Sequence, residues 1–368
     1  MLSFFPSARL GRNLGAAVSN MGQRVLRPES MVRAGETPYD VVHDDGLVRL
    51  RHYGRQGNAR QGTAPARYPV PLVIVPPLAI NMLIYDWFPD RSLVKFLLLQ
   101  GFEVYLIDWG RPRRRHAHYT LHTYVTELMP QLLDRVRGHS GRHTLSLHGW
   151  SMGGGLALCY QAWSGDTGIR NIVTVGTAVD GHANGQIGRQ YAAANRVLQA
   201  LRLDLRKLPP ALAYAPGWVN TIAFKLSDPL GSARGYLDLL RHLDDRDFVS
   251  RHATQGAFMD HLEAYPGGVI RDWMYSIWLE NEAARGYFSL GEGRVYLRDV
   301  SANLLALAGD RDTLANVHCC RPIMELVGSE DKTFRVCQGG HTGILSGSQA
   351  PGEAWRITAQ WLAERSEA

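Results

Sequence analysis

From Pro71 to Thr177 the chain alternates short apolar runs with stretches of helical periodicity, a pattern that few folds can absorb. "PLVIVPPL" reads as a buried strand closed by Pro76 and Pro77, and "FEVYLIDWG", "HTLSLHGW" and "NIVTVGT" repeat its character. Between them "RSLVKFLLLQG" reads as a helix with Gly101 at its C-terminal cap. "TLHTYVTELMPQLLDRVRG" places Leu121, Tyr124, Val125, Leu128, Leu132, Leu133 and Val136 on one helical face, with a kink expected at Pro130. "GGGLALCYQAW" is the next helix. Strands apolar on both faces and separated by helices make βαβ units, so the expected class is α/β, a mostly parallel sheet flanked by helices. "LVRLRHY", after the turn signal "DDG", reads as an early hairpin strand, and "GRQGNARQGTAPARYP" as a loop.

The alternation stops after Thr177. Residues 178–300 read as helical and irregular, rich in Tyr, Trp and Leu, before "ANLLALAGD" resumes as a strand. "KTFRVCQGGH" is then the last strand and "AWRITAQWLAERS" a closing helix. An insertion of that size between two sheet strands is expected to form a cap over the active edge, and its aromatic residues could line an apolar acyl pocket. Residues 1–37 stand apart: Leu10, Leu14, Val18, Met21 and Val25 recur at helical spacing, weakened by Gly11, Gly15 and Gly22. That segment is expected to be an amphipathic helix, either packed on the body or adapted to a partner. The organisation is therefore 1–37, a first core part 38–177, the cap 178–300 and a second core part 301–368.

The chemistry is concentrated in "HGWSMGGGLALCY", where Gly149, Ser151 and Gly153 fall between a strand and a helix. Such a turn holds a serine hydroxyl clear of the backbone, above the sheet. A serine nucleophile needs a base, and the base needs an orienting acid, supplied in chain order Ser, Asp, His from loops after late strands. "LLALAGDRDTLANV" offers Asp310 and Asp312; Asp312 reaches further into the loop, and Asp310 fits a turn. "VCQGGHTGIL" puts His341 in a glycine-rich loop after the final strand. The oxyanion hole is expected from the Met152 amide and a second amide after "PLVIVPP". Pro77 has no N–H, so Leu78 is the first candidate and Ala79 the next.

Net charge is +6 for 368 residues, too mild to argue for nucleic acid. Its densest part is "RPRRRHAH", where Arg111, Arg113, Arg114 and Arg115 are expected on the active edge, either as phosphate ligands or as a solvated loop. Cys159, Cys319, Cys320 and Cys337 show no C-x-x-C spacing, so neither a disulfide framework nor a zinc site is expected, and no metal or cofactor is read from the sequence. Cys159 and His148 read as structural. No run is apolar enough to span a bilayer, and no secretory signal is apparent, so a reducing, cytoplasmic setting is expected.

The chain also resembles the polyhydroxyalkanoate synthases, in particular the short catalytic subunits that work with a second protein. The resemblance runs from about Pro38 to the carboxyl terminus and is carried by "VVHDDGLVRLRHY", "PLVIVPPLAIN", "DRSLVKFLLLQGFEVYLIDWG", "TLHTYV", "ENEAARGYFSLGEGRVYL", "LLALAGDRDTL" and "GGHTGILSG". It implies an α/β-hydrolase fold, a cap over a buried site, and acyl transfer from hydroxyacyl-coenzyme A to a growing polyester. By residue match it also implies Asp312 and His341. A second subunit or a homodimer, and association with a hydrophobic granule, follow as expectations. The departure is the nucleophile: the family resembles G-x-C-x-G, and here the position is Ser151. Three readings stand open: a serine-using synthase-like acyltransferase, a (thio)ester or polyester hydrolase on the same scaffold, and a non-catalytic granule or partner-binding relative.

Overall fold

Eight strands form one sheet: β1 (Asp40–Asp44), β2 (Arg49–Tyr53), β3 (Leu72–Val75), β4 (Val104–Asp108), β5 (Leu145–Trp150), β6 (Ile169–Val175), β7 (Asn303–Gly309) and β8 (Lys332–Cys337). This computed structural model describes residues 13–54, 67–227 and 229–366. The spatial order is β1-β2-β4-β3-β5-β6-β7-β8. β1 and β2 pair antiparallel, β2 runs antiparallel to β4, and every later pair is parallel. β3 and β5 are buried at every position, which is why they read as continuous apolar runs rather than alternating ones.

The connecting helices follow the sequence. α1 (Leu14–Leu26) precedes the sheet, α2 (Leu93–Gln100) ends on Gly101 at φ 101°, and α3 (Met129–Ser140) is capped by Gly141. Where a kink is expected, the chain widens to a π-helix over Thr123–Leu128, immediately before Pro130 in the first turn of α3. α4 (Met152–Ser164) follows the serine turn and is buried along most of its length. The loop read at "GRQGNARQGTAPARYP" lies largely outside the described residues, as do the first twelve residues of the amino-terminal segment.

Between β6 and β7 the chain builds the cap. Its longer elements include α5 (Gly185–Ala200), α6 (Arg246–Met259) and the turns of Gly267–Trp273. It is not wholly helical: Tyr287–Leu290 and Gly293–Tyr296 form an antiparallel hairpin, with Leu290 opposite Gly293. "YFSLGEGRVY" carries that signal, aromatic and β-branched residues on both sides of a glycine turn, and Gly291 takes φ 60°. The cap is fastened to loops at the carboxyl ends of β3 and β4. Glu263 N–H donates to Ala79 O at 3.1 Å, Gly268 N–H donates to Ala117 O at 2.9 Å, and Leu121 N–H donates to Asp272 Oδ2 at 3.1 Å. α1 packs on α6 and the segment before it through polar contacts: Asn20, buried, donates to Leu243 O at 2.8 Å, and Arg24 meets His252 of α6. Leu14, Val18, Val25 and Leu26 point outward instead.

Candidate active site

β5 ends at Trp150 and α4 begins at Met152, so the whole change of direction falls on Ser151. Its backbone sits at φ 55°, ψ −124°, a conformation that costs a non-glycine residue on the order of 1–3 kcal/mol. Three hydrogen bonds hold it there: Ser151 N–H to Val175 O at 2.8 Å, Thr177 Oγ1 to Ser151 O at 2.9 Å, and Gly154 N–H to Ser151 O at 3.1 Å. The flanking glycines are a matter of space. A Cβ on Gly153 would lie 2.0 Å from Val75 O, and one on Gly149 would lie 2.3 Å from the Gly154 nitrogen. No side chain fits either position without moving backbone.

Two other strand ends reach the serine. His341, in the loop after β8, places Nε2 2.9 Å from Ser151 Oγ and Nδ1 2.7 Å from Asp312 Oδ2. Asp312 follows β7 and is 3% exposed; its other oxygen accepts the N–H groups of Leu314 and Ala315, both at 2.8 Å. Those donors fix the carboxylate, which accepts the hydrogen bond from His341 Nδ1–H and so leaves the Nε2 lone pair facing the hydroxyl. Asp310 is turned elsewhere: it accepts Gly339 N–H at 2.8 Å and pairs with Arg311. A serine, an imidazole and a buried carboxylate in this order can perform nucleophilic acyl chemistry.

The alpha/beta hydrolase fold family model matches residues 71–347, a span from before β3 to past His341. The chain belongs to the α/β-hydrolase family. It is 30% identical over 343 residues to the poly(3-hydroxyalkanoate) polymerase subunit PhaC of Haloferax mediterranei, covering 92% of this chain and 66% of that subunit. The chain thus spans just under two thirds of the Haloferax subunit's length. For the subunit of the same name from Haloarcula marismortui the figures are 25% identity, 95% and 73%. For the one from Allochromatium vinosum they are 28%, 96% and 95%.

In this α/β-hydrolase, the expected oxyanion donors lie on the two segments that meet at the elbow. Met152 N–H is the first amide of α4, with no earlier turn to bond to. Leu78 is buried in the loop after β3, between Pro76, whose carbonyl accepts the Trp109 indole N–H at 2.9 Å, and Ala79 at φ 64°. Among the described residues no hydrogen-bond acceptor takes up either amide. Asn81 Nδ2 ties the same loop to the cap, donating to Phe258 O and His261 O, both at 3.0 Å.

Arg111, Arg113 and Arg115 line one cavity of about 670 Å³, with Arg49 and Arg51 and beside the loop residues Ile80 and Asn81; Arg114 is not among its lining residues. Arg111 is exposed and reaches Glu263 Oε1 at 3.1 Å, while Arg115 meets His116. Burial pushes the Glu263 carboxyl up, although Arg111 opposes it. Burial, then Arg115, pushes His116 down. His148 is wholly buried on β5 and driven to about 4, so it is a neutral core residue. Cys159, Cys319, Cys320 and Cys337 are free and buried.

Two contributors went unread in the sequence. The Trp150 indole N–H donates to His341 O at 3.1 Å, steadying the histidine loop, and Thr177 holds the elbow carbonyl. Their partners lie 191 and 26 residues away, beyond the reach of any local pattern. The cap also carries an apolar cavity of about 550 Å³, open to solvent on one side, with Tyr191, Leu198, Met274 and Tyr275 on its wall.

Proposed function

We propose that this chain is an acyl-transfer enzyme that works through an ester on Ser151. The observation that carries the reading is the unbroken relay from Ser151 Oγ through His341 to a buried Asp312, at 2.9 and 2.7 Å. His341 Nε2 takes the hydroxyl proton as Oγ attacks the acyl carbonyl, and Asp312 stabilises the imidazolium. Met152 and Leu78 N–H groups receive the oxyanion. Collapse of the tetrahedral intermediate expels the leaving group, which takes the proton from His341. In the second half a hydroxyl gives its proton to His341 and attacks the ester carbonyl, and Ser151 leaves with that proton.

The relatives' name, poly(3-hydroxyalkanoate) polymerase subunit, supports a hydroxyacyl donor and a hydroxyl acceptor. The arginine-lined cavity beside the oxyanion loop supports a donor with phosphates, such as a coenzyme A thioester. One observation favours a second reading, hydrolysis. The nucleophile is serine, whose ester has less transfer potential than a cysteine thioester, and water is then a sufficient acceptor. A second subunit or homodimer, and a granule surface, belong to the synthase-like reading; the outward apolar residues of α1 are its structural support.

The deciding experiment supplies purified protein with 3-hydroxybutyryl-coenzyme A and analyses products by mass spectrometry, with and without an added acceptor alcohol. Coenzyme A release that disappears in Ser151→Ala is the expected first result. Oligoester or the acceptor's ester is expected as product. Free hydroxy acid as the sole product, with acceptor in excess, assigns the hydrolase instead. Coenzyme A release undiminished by Ser151→Ala would overturn the serine mechanism itself.

A further inference from the structure

At the sheet edge opposite Ser151, three elements bring together side chains that the acyl chemistry does not use. His52 lies near the end of β2, Glu103 immediately precedes β4, and His139 is in the last turn of α3. One ligand atom from each lies within 4.8 Å of the other two. His52 Nε2 is 3.1 Å from Glu103 Oε1. The Tyr105 hydroxyl donates to the same oxygen at 2.9 Å and stands 2.7 Å from His139 Nδ1. Its single proton goes to the carboxylate, so in that contact His139 Nδ1 is the donor.

The charge balance of this cluster is unusual. Glu103 is a partly buried carboxylate, and among the described residues neither lysine nor arginine pairs with it. Asp40 stands opposite His52 in the β1–β2 ladder and adds a second negative charge near His139. A carboxylate flanked by two imidazole nitrogens, with no paired lysine or arginine among the described residues, is a donor set that a cation would complete.

The backbone also makes room for the ligating edge of His52. A Cβ on Gly54 would lie 2.2 Å from His52 Cε1 and 2.5 Å from Nε2, so only glycine allows the ring to sit where it does. His52 Nδ1 has no hydrogen-bond partner. Moving the ring proton from Nε2 to Nδ1, which frees the ligating lone pair, therefore breaks no bond at Nδ1. The exposed side of His139 provides the entry path.

We propose that His52 Nε2, Glu103 Oε1 and His139 Nδ1 bind a divalent first-row transition ion, with Zn²⁺ the best match to two imidazoles and one carboxylate. Bonds near 2.1 Å set ligand atoms about 3.4 Å apart, so His52 Nε2 and Glu103 Oε1, at 3.1 Å, open slightly and His139 Nδ1, within 4.8 Å of both, adjusts to match, with water in the fourth position. Binding moves the His139 ring proton from Nδ1 to Nε2 and gives up its contact with Tyr105, which keeps its hydrogen bond to Glu103 and orients the carboxylate. The ion ties β2, β4 and α3 together and takes no part at Ser151, which lies at the other end of the strands.

The test uses untagged full-length protein stripped with a chelator and then dialysed. Co²⁺ titration is followed by visible absorption, and Zn²⁺ titration by calorimetry. One equivalent of each is expected, with Zn²⁺ displacing the Co²⁺ bands. His139→Ala, a change at an exposed position, and the near-isosteric Glu103→Gln should each weaken binding by at least about 100-fold. Circular dichroism and turnover of a small neutral ester should match the wild type in His139→Ala, which separates a lost ligand from a lost fold. Failure of the wild type to bind either ion stoichiometrically, or binding unchanged in both variants, would overturn the proposal.

Discussion

Asp310 and Asp312 leave the same strand two residues apart and face different partners, so they make a matched pair for testing the relay. In Asp312→Asn the amide presents an N–H to His341, or forces the imidazole into the other tautomer, and Nε2 loses its acceptor role. kcat/KM is expected to fall by about four orders of magnitude with little change in KM. Asp310→Asn keeps an acceptor for Gly339 N–H and should leave kcat/KM nearly unchanged. Steady-state kinetics on one neutral ester checks both, and a large loss in Asp310→Asn alone would reverse the assignment. Ser151, Asp312 and His341 could be picked out because each sits just past a recognisable strand. Trp150 and Thr177 could not, because their roles exist only once distant loops have met.

Among the elements, the strands were legible and the interruptions were not. A fully buried parallel strand must be apolar at successive positions, which leaves a dense local signal in "VIV", "VYLI" and "NIVTV". The Tyr287–Tyr296 hairpin was hidden by its helical surroundings, and the π-helix before Pro130 by a periodicity too close to 3.6 to separate. α1 shows a different limit. Its apolar spacing correctly predicts a helix, yet spacing does not say which face is buried. Asn20 faces the body with its amide bonded to Leu243 O, while Val18 and Val25 are 71% and 68% exposed. Asn20→Leu should therefore cost about 1 kcal/mol, because it removes the hydrogen bond to the half-buried Leu243 carbonyl. The double change Val18→Ser and Val25→Ser should stay within about 1 kcal/mol. Urea unfolding of the three proteins checks this, and the reverse order of losses would mean that the apolar face is the packed one.

Across the whole molecule, charge is divided between the two ends of the sheet. The edge remote from Ser151 holds Glu103 between two imidazoles, in a cluster assembled from residues 52, 103 and 139 that no motif spacing could announce. The edge that carries Ser151 holds the arginine cavity. There Arg49 is paired with Asp44, Arg51 with Asp108, and Arg111 with Glu263, whereas Arg113 and Arg115 have no acidic partner among the described residues. Under the proposed reading these two are the guanidinium groups that would meet a phosphate, Arg115 through the nitrogens that do not bond His116. Arg113→Gln with Arg115→Gln should raise KM for acyl-coenzyme A by about tenfold or more and flatten its dependence on salt, since screening acts on the charges removed. Turnover of a small neutral ester should barely change. Arg114→Gln should alter neither substrate, because Arg114 does not line the cavity. Arg111→Gln should behave differently again. It removes the partner of Glu263, whose backbone N–H holds Ala79 in the oxyanion loop, so kcat should fall on both substrates. Measuring kcat and KM for both substrates across a salt series separates these outcomes. Equal losses on the two substrates in the Arg113/Arg115 variant would assign those residues to folding rather than to the donor's phosphates.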